Sequence, residues 1–172
     1  AAPQADILAG LLDGRFDLGV LGADPGHARL EARHLGREEL CLVLPADAPD
    51  RVPGFADLDA RGFVAHPDGY AYADDLLNLN FPGTYPGSDR MRVRGYVNQI
   101  GQIPAPVSEG IGYTLLPRSG VEAFARKEQL GVVQLPKRRW HDLWLVTRRA
   151  RPLSARLAHA RKLAIEAAGQ LR

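Results

Sequence analysis

Residues 96–117, YVNQIGQIPAPVSEGIGYTLLP, decide the fold. The segment passes from polar amides through an interrupted apolar stretch to Gly110-Ile111-Gly112. It then enters a short apolar run, Tyr113 to Leu116, closed by Pro117. A helix that ends at glycine and feeds a buried strand is the local signature of an α/β sheet. Its polar start, Asn98 and Gln99, stands where a helix begins, and two readings stand there: an ordinary N-cap, or a polar contact for a ligand. Free amides at such a start favour an anionic group by about 0.3–1 kcal/mol.

The same alternation extends in both directions. Ile7, Leu8, Leu11 and Leu12 recur at helical spacing, Asp13-Gly14 ends that helix, and Phe16 to Leu21 reads as a strand. A helix feeding a strand in an open sheet normally follows an earlier strand, so a fragment is expected. A polar loop containing His27 leads to Leu40–Leu44, an apolar run stopped by Pro45 and expected to be a strand buried on both faces. Phe55 to Asp59 predicts a short helix, Gly62 to Ala65 a strand, and His66-Pro67-Asp68-Gly69-Tyr70 a turn-rich loop. Residues 73–79 are expected to be helical and NFPGTYPGSD a loop. Met91 to Val97 alternates as a strand with one exposed face. A helix near Ser119 to Lys127, strands around Val132 to Leu135 and Leu143 to Thr147, and a terminal helix over Ser154 to Ala168 complete the pattern. Ser154 is the expected N-cap of that last helix. Short apolar strands alternating with helices predict a mainly parallel α/β architecture.

At 172 residues and 45% hydrophobic content, the chain can bury a core as one domain or two small lobes. The net charge of +2 conceals an asymmetry. Residues 137–172 hold ten of the 22 Lys/Arg and two of the 20 Asp/Glu. Such a basic end is read as a solvated face of the last strand and helix rather than a nucleic-acid surface. Cys41 is the single cysteine, so no internal disulfide forms, and its setting in LCLVLP predicts a buried structural thiol. No apolar run reaches the roughly 18–20 residues of a membrane span, and a reducing cytoplasm fits the cysteine count.

Chemistry is sparse. There is no Gly-x-Ser-x-Gly, no complete Gly-x-Gly-x-x-Gly after a strand and no P-loop, and the glycines of Gly110-Ile111-Gly112 are expected to end a helix. The five histidines never take metal-pair spacing, so neither metal nor cofactor is expected. Asp74 and Asp75 are adjacent and point to different faces, which excludes them as a catalytic pair. KRRW, residues 137–140, is expected to be a turn of exposed charge between strands. With no nucleophile and base to nominate, an enzyme is not expected. In open α/β sheets ligands sit beyond the carboxyl ends of strands. That rule nominates Gly22-Ala23-Asp24, His66 to Tyr70 and Val97 to Ile100 as candidate edges. His66 is read either as a satisfied loop histidine or as a ligand contact.

Five segments, taken in order, carry a resemblance: LLDGRFDLGVLG, EELCLVLPADAP, ADLDARGFVAHPDG, VSEGIGYTLLP and LWLVTRR with its following helix. The chain resembles the effector-binding domain of a LysR-type transcriptional regulator, which has the fold of type 2 periplasmic binding proteins. The resemblance implies an α/β chain with two Rossmann-like lobes joined by two crossing segments, near Leu40 to Pro45 and Val132 to Pro136. Lobe I would comprise residues 1–44 and 135–172, and lobe II residues 45–134. It further implies a small-molecule effector held between the lobes. The implied contacts are Gln4, Gly22 and Ala23 from lobe I, and His66, Asp68, Gly69, Tyr70, Asn98, Gln99 and Ile100 from lobe II.

Three departures accompany the resemblance. The family's N-terminal winged helix-turn-helix is absent from this sequence, so DNA would be reached only through that domain. The first strand and helix of lobe I are also missing, leaving lobe I truncated at its N-terminus. Pro104 and Pro106 interrupt a helix that the family runs continuously, so the helix is either kinked or begins later, which would move Asn98 and Gln99 from cap to loop. The expected function is ligand sensing by a cytoplasmic homodimeric or homotetrameric regulator without membrane contact. A solute-binding protein of a transporter is the alternative.

Overall fold

The computed structural model describes residues 3–48, 51–149 and 154–169. The chain divides into two compact units, one of residues Glu39–Arg139 and one formed by the residues up to Glu38 with those from Trp140 onward. It passes from one unit to the other twice, within the strands β2 (Leu30–Pro45) and β7 (Arg139–Arg148).

The smaller unit opens with α1 (Gln4–Asp13) and β1 (Leu18–Leu21). Gly14 ends α1 in the left-handed conformation at φ 89°, with its amide on the Gly10 carbonyl, the turn expected of Asp13-Gly14. The Arg148 guanidinium closes this corner, donating to the Leu11 and Phe16 carbonyls at 3.3 and 2.9 Å and pairing with Asp17. A cation on the last carbonyls of a helix opposes the dipole as well as satisfying them. β1 pairs antiparallel with β7, Leu18 opposite Thr147 and Leu21 opposite Trp144. Leu11, Leu21, Leu30 and Val146 form this unit's core. In the terminal helix, α6 (Ala155–Ala168), the Ser154 hydroxyl accepts the Leu157 amide at 3.3 Å, as the sequence predicts of an N-cap. Pro152, whose place just before that cap marks the helix start in the sequence, lies outside the described residues.

The larger unit is built on the second half of β2. Residues 38–45 are buried without a break, as LCLVLP predicts. Alternate side chains serve two cores: Leu40, Leu42 and Leu44 pack with Phe55, Phe63 and Leu77, whereas Cys41 and Val43 pack with Val64, Ile103 and Leu116. The period of two of a strand accounts for that division. Between the crossings run α2 (Phe55–Arg61), β3 (Phe63–Ala65), α3 (Gly69–Asn80), β4 (Val93–Tyr96), α4 (Pro104–Ser108), β5 (Thr114–Pro117), α5 (Arg118–Glu122) and β6 (Leu130–Val133). β2 pairs antiparallel with β5 through Leu40–Val43 and antiparallel with β6 through Leu42–Pro45. β3 and β4 pair in parallel, and Phe63 bridges in parallel to Tyr113.

Several expectations are corrected. Antiparallel pairings surround β2 and β1, so the sheet is not mainly parallel; periodicity reports burial, and direction comes from partners far along the chain. β2 begins at Leu30, ten residues before Leu40. The polar run LEARHLGREE concealed this half, because a strand exposed on one side needs few apolar residues. Gly69 and Tyr70 belong to the first turn of α3 rather than to a loop, and α5 stops at Glu122. β4 lies more exposed than its alternation suggests, with Val93 at 44%. KRRW is a bracket rather than a free turn. Asn80 bonds both backbone groups of Lys137, Arg138 pairs with Glu39, Arg139 pairs with Asp75, and Arg37 lies over the Trp140 ring.

Gly110 and Gly112 take φ of 83° and 68° and turn the chain from α4 into β5. At Gly112 a Cβ would sit 2.5 Å from the Gly62 carbonyl oxygen, so both conformation and space require glycine. Gly112→Ala is expected to destabilise the fold by about 2 kcal/mol or more. Gly101→Ala, in open space, should stay within about 0.5 kcal/mol of wild type; urea denaturation of the two variants makes the comparison.

Candidate functional site

The expected binding residues fall into two groups, one in each unit. In the larger unit β3 and β4 run side by side in parallel, with Ala65 opposite Tyr96 and the Val97 amide on the Ala65 carbonyl at 2.9 Å. Their carboxyl ends therefore release two loops next to each other: His66 to Tyr70 after β3, and Val97 to Ile100 after β4. The strand-end rule and the fold agree in bringing these residues to one edge.

On the first loop His66 is 3% exposed. Its Nε2 lies 2.8 Å from the Leu115 carbonyl oxygen, which can only accept, so Nε2 carries the proton. Burial holds the imidazole below its ordinary value of 6.5, although the Leu115 bond and Asp68 oppose the shift. Tyr72 lies edge-on to the ring at 5.7 Å. One His66 nitrogen is thus committed to the strand β5. Asp68 occupies the N-cap position of α3 without a side-chain cap bond, and Gly69 is buried against the His66 and Phe63 rings. Tyr70 is half-buried and meets Phe63 edge-on at 6.1 Å.

On the second loop Asn98 and Gln99 are exposed and Ile100 is half-buried against the core of Ile103 and Val107. Gln99 precedes a 3₁₀ turn, Ile100–Gln102, and makes no side-chain cap bond. The α-helix starts only at Pro104, its first position, and lasts five residues. Proline supplies no amide and suits a first turn. Of the two possibilities for the interrupted helix, the later start holds, and Asn98 becomes a loop residue. The helix start at this edge belongs instead to α3, which has twelve residues and no acidic residue in its first turn. An α-helix leaves its first amides without intrahelical carbonyls. Asp68 ahead of Tyr70, Ala73, Leu76 and Leu77 is the signal by which the sequence marks that start.

In the smaller unit Gln4 opens α1, and its Oε1 accepts the Gly22 amide at 2.7 Å. A Cβ on Gly22 would lie 2.8 Å from Gln4 Nε2, so glycine permits the contact. Ala23 follows, exposed. Gln4 and Gly22 therefore meet directly across 18 residues, which no local spacing encodes.

Among the described residues no group of His, Cys, Asp and Glu is arranged to hold a metal ion, and no helix is long and apolar enough to cross a membrane. Asp74 and Asp75 diverge: Asp74 accepts from Tyr85 and from both Ser88 groups, whereas Asp75 pairs with Arg139. Cys41 is buried at 2% exposure.

The LysR substrate binding domain family matches residues 1–169. The chain belongs to that family. It is a LysR substrate-binding domain with the type 2 periplasmic-binding-protein-like fold, and the family is one of regulatory domains. The transporter alternative is not favoured. The fold is shared with the effector-binding domain of QuiR in complex with shikimate, at 15% identity and TM-score 0.66, covering 99% of this chain and 79% of that one. The regulatory domain of OxyR2 from Vibrio vulnificus, a C206S mutant, matches at 20% identity and TM-score 0.67, covering 97% and 78%. HinK, a LysR family transcriptional regulator from Pseudomonas aeruginosa, matches at 18% identity and TM-score 0.68, covering 99% of this LysR domain and 59% of HinK. No curated protein matches the sequence.

His66 generates a pH prediction for this LysR domain. Its folded-state pKa is depressed, so its neutral form is fully compatible with folding above about 6.5. As pH falls below that value the unfolded chain takes up a proton that the folded chain resists, and stability declines. Chemical denaturation between pH 7 and 5 should show this loss, and His66→Gln should flatten it. An unchanged slope in the variant would assign the titration to another group.

Proposed function

We propose that this chain is the effector-sensing part of a cytoplasmic LysR-type transcriptional regulator. In this reading its lobes are residues 1–44 with 135–172, and 45–134. The observation that carries the reading is the family match across residues 1–169. The effector is a small metabolite with an anionic or aromatic group. Its contacts are Asp68, Gly69, Tyr70, Asn98, Gln99 and Ile100, with His66 beneath them, and Gln4, Gly22 and Ala23 from the smaller unit. The first turn of α3 and the exposed amides of Asn98 and Gln99 favour a carboxylate-bearing molecule. The complex of QuiR with shikimate supports a ligand of that size.

Effector binding biases a conformational equilibrium in a homodimer or homotetramer. A DNA-binding segment outside this chain reads the result. Coupling of about 1–3 kcal/mol is sufficient for such a response.

A thermal-shift panel of small carboxylates, shikimate among them, identifies the effector. At about 100 times its Kd a ligand stabilises the folded state by about 2.7 kcal/mol. The double variant Asn98→Ala, Gln99→Ala removes two exposed side chains and should leave the ligand-free melting temperature within about 2 °C while abolishing most of the shift. A ligand-induced shift of wild-type size in that variant would remove Asn98 and Gln99 from the site.

A further inference from the structure

A cavity of about 420 Å³ lies in the larger unit at the amino end of β3. Arg61, at the end of α2, lines it just before β3 begins, whereas His66 and the candidate effector edge follow the other end of the same strand. Leu44, Pro53 and Leu58 supply its apolar wall. Its polar lining is made by Arg51, Asp57, Arg61 and Arg94.

The charges there are unequal. Among the described residues Asp57 is the one carboxylate of the lining, and it is already committed. Arg51 donates to its two oxygens at 2.8 and 2.9 Å, and the Gly54 amide adds a bond of 2.8 Å. The Arg51 bonds and the Gly54 amide hold the Asp57 carboxyl below the usual range, so Asp57 stays ionised and neutralises Arg51. Glu109, adjacent in sequence to the lining residue Gly110, is paired with Arg126 at 2.6 Å. Among the described residues no carboxylate pairs with Arg61 or Arg94. Among the described residues Arg94 has no hydrogen-bonded partner, and Arg61 senses Asp57 only through space.

Arg94 is also positioned. Gly62, at φ 83°, has no side chain, and the Arg94 stem fills that space, with Cγ and Cδ where they would meet a Cβ at 2.2 and 2.8 Å. Anchoring the stem removes rotamer freedom before any ligand arrives, which lowers the entropic cost of binding. Guanidinium groups match carboxylate and phosphate oxygens through paired N–H donors. A cavity of this volume accommodates a small organic molecule.

We infer that this cavity binds a small organic oxyanion, its acid group taken by Arg61 and Arg94 and its apolar body set against Leu44, Pro53 and Leu58. The site is separate from the candidate effector edge, being built from none of the same residues.

The test is an NMR titration of the ¹⁵N-labelled chain with phenyl phosphate and with phthalate, against inorganic phosphate and phenol as controls. Both aromatic anions should shift the amides of Arg61, Arg94, Gly110 and Gly112 saturably, with inorganic phosphate and phenol about tenfold weaker or more. Phthalate and phenyl phosphate together distinguish a carboxylate from a phosphate preference. Arg94→Met keeps an unbranched stem over Gly62 and removes the charge, and Arg61→Met does the same at the other rim. Each should weaken binding about tenfold or more, the loss expected of one charge-assisted contact. Equal binding of inorganic phosphate, unsaturable shifts, or wild-type affinity in both methionine variants would overturn the inference. The Asn98→Ala, Gln99→Ala variant should bind the probes here normally, so failure at either site is told apart from failure at the other.

Discussion

The strand β2 is the constraint on which the rest of the structure depends. It is buried over eight consecutive residues, so every amide and carbonyl along that half must find a partner away from water. β5 supplies them along Leu40–Val43 and β6 along Leu42–Pro45. Its alternating side chains seed both cores of the larger unit. The residues that begin this half, Glu38 and Glu39, are charged and yet buried. Glu39 is held by Arg118 and Arg138, whose side chains arrive from segments 79 and 99 residues away. The Arg138 bond foremost, with that of Arg118, keeps the Glu39 carboxyl below the usual range despite its burial.

That arrangement gives the basic C-terminal region a physical role. Arg138, Arg139 and Arg148 each engage a carboxylate supplied by an earlier segment. For these three of the ten Lys/Arg in residues 137–172, charge asymmetry along the sequence becomes charge pairing in the fold.

The candidate effector edge follows from a different constraint. A parallel pair of strands must release its two following loops at the same end, and β3 and β4 thereby place His66–Tyr70 beside Val97–Ile100. The strand-end rule made those loops legible in the sequence, and the family resemblance selected the same residues. Their local conformations were less legible. Asn98 and Gln99 precede an apolar run that looks helical, but Pro104 and Pro106 withhold two amides and delay the helix. The turn residues Pro67, Asp68 and Gly69 suggest a loop, yet Gly69 begins α3 because the apolar spacing from Tyr70 to Leu77 outweighs them once that face packs against β3 and β5.

By itself the sequence determined most of the helices and strands, though not the polar first half of β2 or the start of α3, together with the glycine turns at Gly14, Gly110 and Gly112, the interior place of Cys41 and LCLVLP, and which family the order of motifs resembles. These are properties of short spacing: a cap acts over three residues, a helical face over four and a strand face over two. Only the tertiary structure decided that the pairings around β2 are antiparallel, that Gln4 meets Gly22, that the His66 ring is spent on Leu115, and that Asp57 is taken by Arg51. Each of those depends on which side chain reaches a given donor or acceptor after the backbone has closed, and most join residues tens of positions apart. Composition counts the charges, whereas packing settles which of them remain free to bind.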